Sequence, residues 1–411
     1  MSTSGLSVTQ IDIRNSVYKI CDQFPDEYWT EKDRKSEYAG DLHRELAKAG
    51  FLGVCMPENL GGSELGISDA MIMVETISES GAGIAGSQTI HANLYATIPI
   101  LRFANEEQKS KYLPKIICGE ERTCFGVTEP NTGLDTLKLQ TKAEKNGDRY
   151  IVSGQKIWIT NAQAAERMVL LARTTPLEEL DSSNKTRGLS VFYVDLARGK
   201  KEGSVVVRPI HKMGGRSVDA NEVFFDNFEV SKHDLIGSEG DGFRIIMHGM
   251  NAERCLLAGE ALGLGYVALK RATEYAKSRH VFGQPIGKNQ AIQHPLAQTW
   301  CALEAAKMLA LHASKRFDEI IGTGHLETKE ATAAQREEVG ALCNAAKYLA
   351  AETAFEACER AVMVHGGMGY ASDFHVERYL RESFVPRLAP VSREMILNFI
   401  GQKVLGLPKS Y

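Results

Sequence analysis

The spacing of apolar residues changes twice along this chain, and this change limits the folds that it can adopt. From about residue 8 to 119 apolar residues recur every three to four positions, as at Leu42, Leu46 and Ala49, which is the period of an amphipathic helix. Between about 124 and 237, short runs rich in β-branched and aromatic residues alternate with glycine turns, which predicts short strands. Beyond about residue 241 long helical segments return.

This order predicts an α+β multidomain protein. A chain of 411 residues is long enough for two or three structural units. We expect an N-terminal α-helical domain at 1–120, a middle β-barrel or β-sandwich domain at 121–237 and a C-terminal helical bundle domain at 238–411.

Charge and composition argue against several classes of protein. The formal net charge of -4 gives no basic field to attract nucleic acid or an anionic membrane, and no apolar run reaches the roughly 18 residues of a membrane span. The eight cysteines include no Cys-x-x-Cys pair, which favours reduced thiols over a zinc site, and no metal site is predicted. The N-terminus lacks signal-peptide and transit-peptide character, so we expect a cytoplasmic protein, with the mitochondrial matrix as the alternative in a eukaryote.

Four segments carry a common resemblance. They are residues 125–135 (FGVTEPNTGLD), 154–162 (GQKIWITNA), 279–286 with 290–293 (RHVFGQPI and QAIQ) and 365–370 (HGGMGY). In this order, and on these helical and strand blocks, they resemble the motifs of the acyl-CoA dehydrogenase family over its whole length. The resemblance implies the fold of that family, with a middle β-barrel and a C-terminal four-helix bundle. It also implies an FAD enzyme that desaturates an acyl-CoA thioester by removing the α-proton and transferring the β-hydride to flavin N5.

The resemblance also implies which residues contact FAD. It assigns the pyrimidine edge of the flavin to the backbone around Thr128, a flavin face to Trp158 and the N5 region to Thr160. Glycine allows close approach of backbone to a pyrophosphate. The predicted cofactor-binding residues are Phe125, Val127, Thr128, Trp158, Thr160, Arg279, Phe282, Gln290, Gly366, Gly367 and Ser392.

Three of these residues imply an oligomer. In the family, the groups corresponding to Arg279, Phe282 and Gln290 reach the FAD of a neighbouring subunit, so we expect a homotetramer. The reduced flavin needs an oxidant, and the expected partner is electron-transferring flavoprotein.

The catalytic base requires a carboxylate that can take the α-proton. Most family members carry it in a C-terminal loop, where this chain has Pro390. Isovaleryl- and long-chain-type enzymes instead place a Glu directly before an Arg in the bundle, and Glu253 with Arg254 matches that pattern. Glu253 is therefore the predicted base, and the alternatives, ranked below it, are Glu260, Glu382 and Glu394.

The acyl-CoA contacts follow from the same resemblance. The predicted substrate-binding residues are Arg254, Asn251, Gly133, Gln88 and Thr89. Two departures from the family bear on the substrate. Leu134 stands where a Ser is usual, and Pro390 has no N–H to offer the thioester carbonyl.

Other functions remain open at this point. Residues 263–268 fit a Gly-x-Gly-x-x-Ala dinucleotide fingerprint, but they lie in a helical run and lack the acidic residue about 20 positions later. Acyl-CoA oxidases, nitroalkane oxidases and thioester desulfinases share the same scaffold. A non-catalytic relative that binds FAD or acyl-CoA is the third alternative, motivated by Pro390.

Overall fold

The N-terminal third is helical, as predicted. The computed structural model describes residues 3–181, 184–322 and 331–410. The first seven helices are α1 (Val8–Cys21), α2 (Asp26–Lys35), α3 (Gly40–Lys48), α4 (Ile67–Ile77), α5 (Gly83–Tyr95), α6 (Ile98–Phe103) and α7 (Glu106–Ile117). A π-helical turn, Ser78–Ala82, joins α4 to α5. Helices α4 and α5 are buried along almost their whole length, since apolar and small residues occupy all their faces.

The middle region is one eight-stranded sheet. Its strands are β1 (Thr123–Gly126), β2 (Lys142–Asn146), β3 (Arg149–Thr160), β4 (Arg167–Arg173), β5 (Leu189–Asp195), β6 (Val205–Pro209), β7 (Ala220–Ser231) and β8 (Leu235–Ile236), with helix α8 (Leu196–Glu202) after β5. The order is β6-β7-β3-β2-β4-β5-β8, and β1 pairs with β4. Within the described ranges no pairing joins β8 back to β6, so the strands form an open sheet rather than the expected closed barrel.

Strands β4 and β5 are buried on both faces. Successive side chains of a strand point to opposite faces. Met168 and Leu170 pack into a core formed by the sheet itself, whereas Val169 and Leu171 pack against the helices. Burial on two sides explains why these strands are uninterrupted apolar runs. It also places the sheet directly against the helical domains.

The C-terminal region is helical, as predicted, with three long helices. It contains α9 (Gly242–Ser278), α10 (Gln290–Ile320), α11 (Ala333–His365), α12 (Val376–Glu382), α13 (Val385–Leu388) and α14 (Arg393–Phe399), with a two-stranded hairpin of β9 (His280–Val281) and β10 (Gln284–Pro285) after α9. Helices α9, α10 and α11 pack on one another, and α4 packs on α9. In the part of the chain that the structure describes, the short segments α12 to α14 follow these three long helices.

Glycines on α9 set its close approach to α4. A Cβ on Gly263 would lie 2.1 Å from the carbonyl oxygen of Glu75, and a Cβ on Gly259 would lie 2.5 Å from that of Met71. The Gly-x-Gly-x-x-Ala pattern therefore lies inside a long helix and serves helix packing. This geometry contradicts a dinucleotide fingerprint, which opens a helix directly after a strand.

We predict that Gly263→Ala destabilises the protein, because the new methyl group overlaps the backbone of α4. Overpacking of this kind typically costs about 1–3 kcal/mol. Gly340→Ala is the matched control, since Gly340 is also helical and its Cβ would lie 3.4 Å from the Phe399 ring. Thermal unfolding should show a lower midpoint for Gly263→Ala and an unchanged or higher midpoint for Gly340→Ala. Equal midpoints would contradict the packing role.

Candidate active site

Helices α5 and α9 face each other across a buried cluster of charged groups. Nδ1 of His91 lies 2.7 Å from Oε1 of Glu260, and Nε2 of the same ring lies 3.9 Å from Oε1 of Glu253. Gln88 Nε2 donates to Glu260 Oε2 at 3.2 Å. Glu253 is 7% exposed, His91 6% and Glu260 0%. The structure therefore brings the predicted base together with a histidine and a second carboxylate.

The Glu253 carboxylate is only partly engaged. Its Oε2 is buried and has no hydrogen-bond partner in the part of the chain that the structure describes. Burial lowers the pKa of His91, but the carboxylates of Glu260 and Glu253 outweigh burial and raise this pKa to about 10. His91 is consequently an imidazolium at neutral pH. Burial and the neighbouring Glu253 also raise the pKa of Tyr95 far above its usual value.

Arg254 and a lysine of α11 lie beside this cluster. Arg254 is buried, and its Nη1 donates to Asn251 Oδ1 at 2.7 Å. Lys347 Nζ donates to the carbonyl oxygen of Val391 at 2.8 Å. Burial and the charge of Arg254 lower the pKa of Lys347 to about 8. This hydrogen bond between Lys347 and Val391 connects α11 to the loop that contains Pro390.

The alternative carboxylates are engaged elsewhere or exposed. Glu260 is fully buried beneath His91 and Gln88. Glu382 is also fully buried, accepts the Ala85 amide at 3.2 Å and pairs with Arg378 at 3.4 Å. Glu394 is exposed and lies 3.3 Å from its neighbour Arg393. Within the described ranges, Oε1 of Glu260 also has no hydrogen bond, but it lies 2.7 Å from His91 Nδ1, whereas Oε2 of Glu253 is buried without a hydrogen bond and His91 lies 3.9 Å from the other oxygen of Glu253.

The first motif is clamped onto strand β3. The carbonyl oxygen of Thr128 accepts Ile157 N–H at 2.9 Å. Lys156 Nζ donates to the Val127 carbonyl at 3.1 Å and to Glu129 Oε1 at 2.9 Å. Burial lowers the pKa of Lys156 to about 8, while the same ion pair overcomes burial and lowers the pKa of Glu129. This ion pair was not predicted, although Glu129 lies in the 125–135 motif and Lys156 in the 154–162 motif.

Trp158 follows this clamp in an unusual backbone conformation. Its φ is 60°, in the left-handed region that is rare for non-glycine residues. The pairing of β3 with β7 is irregular between Lys156 and Ile159, and the indole is 57% exposed. A large aromatic ring is thus turned outward where the strand pairing is interrupted.

Other predicted residues are brought close to α5. Phe125 of β1 packs on Tyr95 with ring centroids 5.2 Å apart. Asn161, which follows Thr160, donates to the Gln88 carbonyl at 3.3 Å. Thr89 is buried, and its hydroxyl donates to its own helix at Ala85 O.

The remaining predicted residues lie apart from the cluster or serve other contacts. Arg279 and Gln290 are exposed, and Phe282, between β9 and β10, is 100% exposed. Gly133 is exposed, with nothing within 4 Å of an added Cβ. Ser392 Oγ accepts Met395 N–H and caps α14. Within the described ranges, no three His, Cys, Asp or Glu side chains are grouped so as to hold a metal, and no helix is long and apolar enough to cross a membrane.

Comparison with known proteins decides the family. Sequence models of the acyl-CoA dehydrogenase family match the chain over its N-terminal domain (residues 7–120), middle domain (124–228) and C-terminal domain (240–405). The chain belongs to the acyl-CoA dehydrogenase family. An acyl-CoA dehydrogenase of Bacillus subtilis (strain 168) is 34% identical over 374 residues, which cover 91% of this chain and 92% of that protein.

Other relatives and solved structures support the same family assignment. Subunit CarC of the caffeyl-CoA reductase-Etf complex of Acetobacterium woodii is 33% identical, with 86% of each chain covered. The structure of butyryl-CoA dehydrogenase from Megasphaera elsdenii matches with a TM-score of 0.87 and 28% identity, over 98% of this chain and 100% of that one. An FAD complex of PigA matches with a TM-score of 0.86 and 25% identity, over 98% and 99%. The predicted family, FAD cofactor and oxidoreductase activity on acyl-CoA are confirmed.

The residues present fit an FAD. An added Cβ on Gly366 or Gly367 would meet nothing within 4 Å, and Gly366 has a φ of 60°, so a ligand can approach this backbone closely. Trp158 offers an exposed aromatic face, and the 127–129 backbone is fixed beside it. These groups provide the stacking surface and the close backbone approach that a dinucleotide requires.

We predict that His91 gives this acyl-CoA dehydrogenase a stability that declines in alkaline solution. The folded pKa of His91, about 10, lies above the usual value of 6.5. Its contribution to the free energy of unfolding is therefore complete below about pH 6.5 and is lost as the pH rises through about 10. Unfolding of wild type and His91→Gln should be compared across this range. The stability advantage of wild type should shrink with rising pH, and a constant difference would contradict the assigned charge.

Proposed function

We propose that this acyl-CoA dehydrogenase removes the α-proton of its substrate with Glu253. The observation that carries the proposal is the buried carboxylate on α9, one oxygen of which has no hydrogen-bond partner within the described ranges. A free lone pair in a water-poor site is what a general base requires. Glu382 and Glu394 lack this combination, and Glu260 is held by two neighbours.

The chain's own residues then have distinct roles. FAD, when bound, accepts the β-hydride. Glu253 takes the α-proton onto Oε2. Arg254, which is buried and fixed by Asn251, provides positive charge next to the base, and such charge favours the ionised carboxylate. Pro390 offers no N–H, so any backbone donor to the thioester carbonyl comes from another residue.

The FAD contacts are part of the same proposal. The Lys156–Glu129 clamp supports the assignment of the pyrimidine edge to the backbone at Val127 and Thr128. The outward Trp158 supports a flavin face, with Thr160 two positions later on the same strand. The open backbone at residues 366–367 supports pyrophosphate binding. Gln88, Thr89, Asn251 and Gly133 remain proposed acyl-CoA contacts.

The oligomer and the electron acceptor extend the proposal. A phenylalanine that is fully exposed in one chain is costly to leave in water, and this supports a second copy that buries Phe282 together with Arg279 and Gln290. The homotetramer that the family resemblance implies is part of this proposal. The relative CarC, named as a subunit of an Etf complex, supports electron-transferring flavoprotein as the acceptor. The eight free cysteines support an intracellular location.

The base is tested with Glu253→Gln. Glutamine has nearly the shape and the helix propensity of glutamate, but its side chain cannot take up the proton. Anaerobic mixing with a panel of acyl-CoAs, read as loss of the oxidised flavin spectrum, measures the reductive half-reaction. We expect FAD to remain bound and reduction to slow by at least about 100- to 10,000-fold. Glu394→Gln, on an exposed carboxylate, is the matched control and should reduce like wild type. Wild-type reduction by Glu253→Gln refutes the base assignment, and no bleaching of wild type by any acyl-CoA favours a non-catalytic relative.

The subunit contact is tested with Phe282→Ser. Removing the ring should weaken the tetramer and lower the FAD content, because the proposed site needs both chains. Light scattering and the ratio of flavin to protein absorbance measure the two effects. Val8→Ser, at another exposed apolar residue, should change neither quantity. Retention of both the wild-type mass and the full FAD content by Phe282→Ser argues against the shared site.

A further inference from the structure

His91 connects two carboxylates of α9 that lie on the same face of that helix. Glu253 and Glu260 are seven residues apart, two helical turns or about 10 Å of axial rise. The imidazole of α5 lies between them, close to Glu260 (2.7 Å) and farther from Glu253 (3.9 Å). All three groups are buried, so solvent screens their charges little.

The different distances from His91 to Glu260 and to Glu253 indicate different roles for the two carboxylates. Glu260 makes the short contact with His91 and also accepts from Gln88, so it acts as an anchor. Glu253 is beyond hydrogen-bond distance of the ring and keeps Oε2 without a hydrogen bond. A carboxylate that accepts several hydrogen bonds becomes a weaker base. The longer contact gives Glu253 an opposite charge without occupying the oxygen that must receive the proton.

Other titratable groups around Glu253 come from three helices. On α5 they are His91 and Tyr95, on α9 Arg254 and Glu260, and on α11 Lys347. The phenol of Tyr95 is neutral, because its pKa is raised. Arg254 and Lys347 are each directed to another partner, Asn251 and Val391 respectively. His91 is therefore the cation whose removal leaves two buried carboxylates facing each other.

We propose that His91 is a positioning residue for the catalytic base: its ring, anchored by Glu260, places a positive charge beside Glu253 without occupying the oxygen that receives the proton, and thereby sets the pH dependence of flavin reduction. The proposal rests on the proposed function of Glu253. Without the imidazolium, the negative charge of Glu260 disfavours ionisation of Glu253. Without Glu260, the imidazolium acts on Glu253 alone and favours its ionisation.

These two effects have opposite signs, which makes the pH profile diagnostic. The rate of anaerobic flavin reduction is measured from about pH 5 to 9 with the acyl-CoA that bleaches wild type fastest. The acid limb is the low-pH part of the profile, where the rate falls as the pH decreases. In His91→Gln this limb should move to higher pH by about one unit or more. At a pH below the limbs of both wild type and variant, the variant should therefore reduce its flavin about tenfold more slowly. In Glu260→Gln the limb should move to lower pH. The double variant should return toward wild type.

The controls separate this role from a merely structural one. FAD content and thermal midpoint are recorded for each variant, because a loss of folding lowers the rate at every pH without moving the limb. If His91→Gln does not fold, the direction of the shift in Glu260→Gln alone decides. Limbs that stay in place, or move in the same direction in both variants, overturn the proposal. Rapid reduction by Glu253→Gln instead removes the base assignment itself, and the two failures are thereby distinguished.

Discussion

The hydrogen bonds that hold helix α5 come from every part of the chain. Glu382 of α12 accepts the amide of Ala85 at its first turn, and Asn161 of the middle region donates to the carbonyl of Gln88. Near its end, the Asn93 side chain accepts the amide of Thr123 at the start of β1. Because α5 carries His91 and α9 carries Glu253, these contacts fix the distance between the two groups. The site is thus a product of how three regions dock on one buried helix.

Buried charges in this protein occur in partnered sets. Lys156 with Glu129 and Lys307 with Glu75, at 2.9 and 2.6 Å, are close to fully buried, and removing one member of such a pair leaves an uncompensated charge. In the cluster around Glu253, Oε2 of that residue has no hydrogen-bond partner within the described ranges, and the same holds for Oε2 of Glu75. Incomplete satisfaction of a buried polar group is costly to stability, and at Glu253 it supports the proposed role of this carboxylate as the base.

The order of the regions could be predicted from the sequence, because the spacing of apolar residues differs between helices and strands. The sequence predicted no role for His91, since a single histidine within an apolar helix has no distinctive spacing, and only the crossing of α5 and α9 brings it to two carboxylates. Whether the sheet closes into a barrel could not be predicted either. The apolar residues of β4 and β5 indicate which faces are buried, but they do not indicate whether the edge strands pair with each other. Phe282 has no visible partner in one chain, so its role rested on the family resemblance.

The contact of α4 with α9 restricts how this enzyme can evolve. At positions 259 and 263 the carbonyl oxygens of α4 occupy the space that a Cβ would need, so any residue other than glycine there requires the two helices to shift. Both positions lie on the helix that carries Glu253: Gly259 directly precedes Glu260, and Gly263 lies three residues after it. Adaptation of this protein to new acyl groups therefore carries a stability cost at these two positions, and selection for stability keeps the helix of the proposed base close to α4.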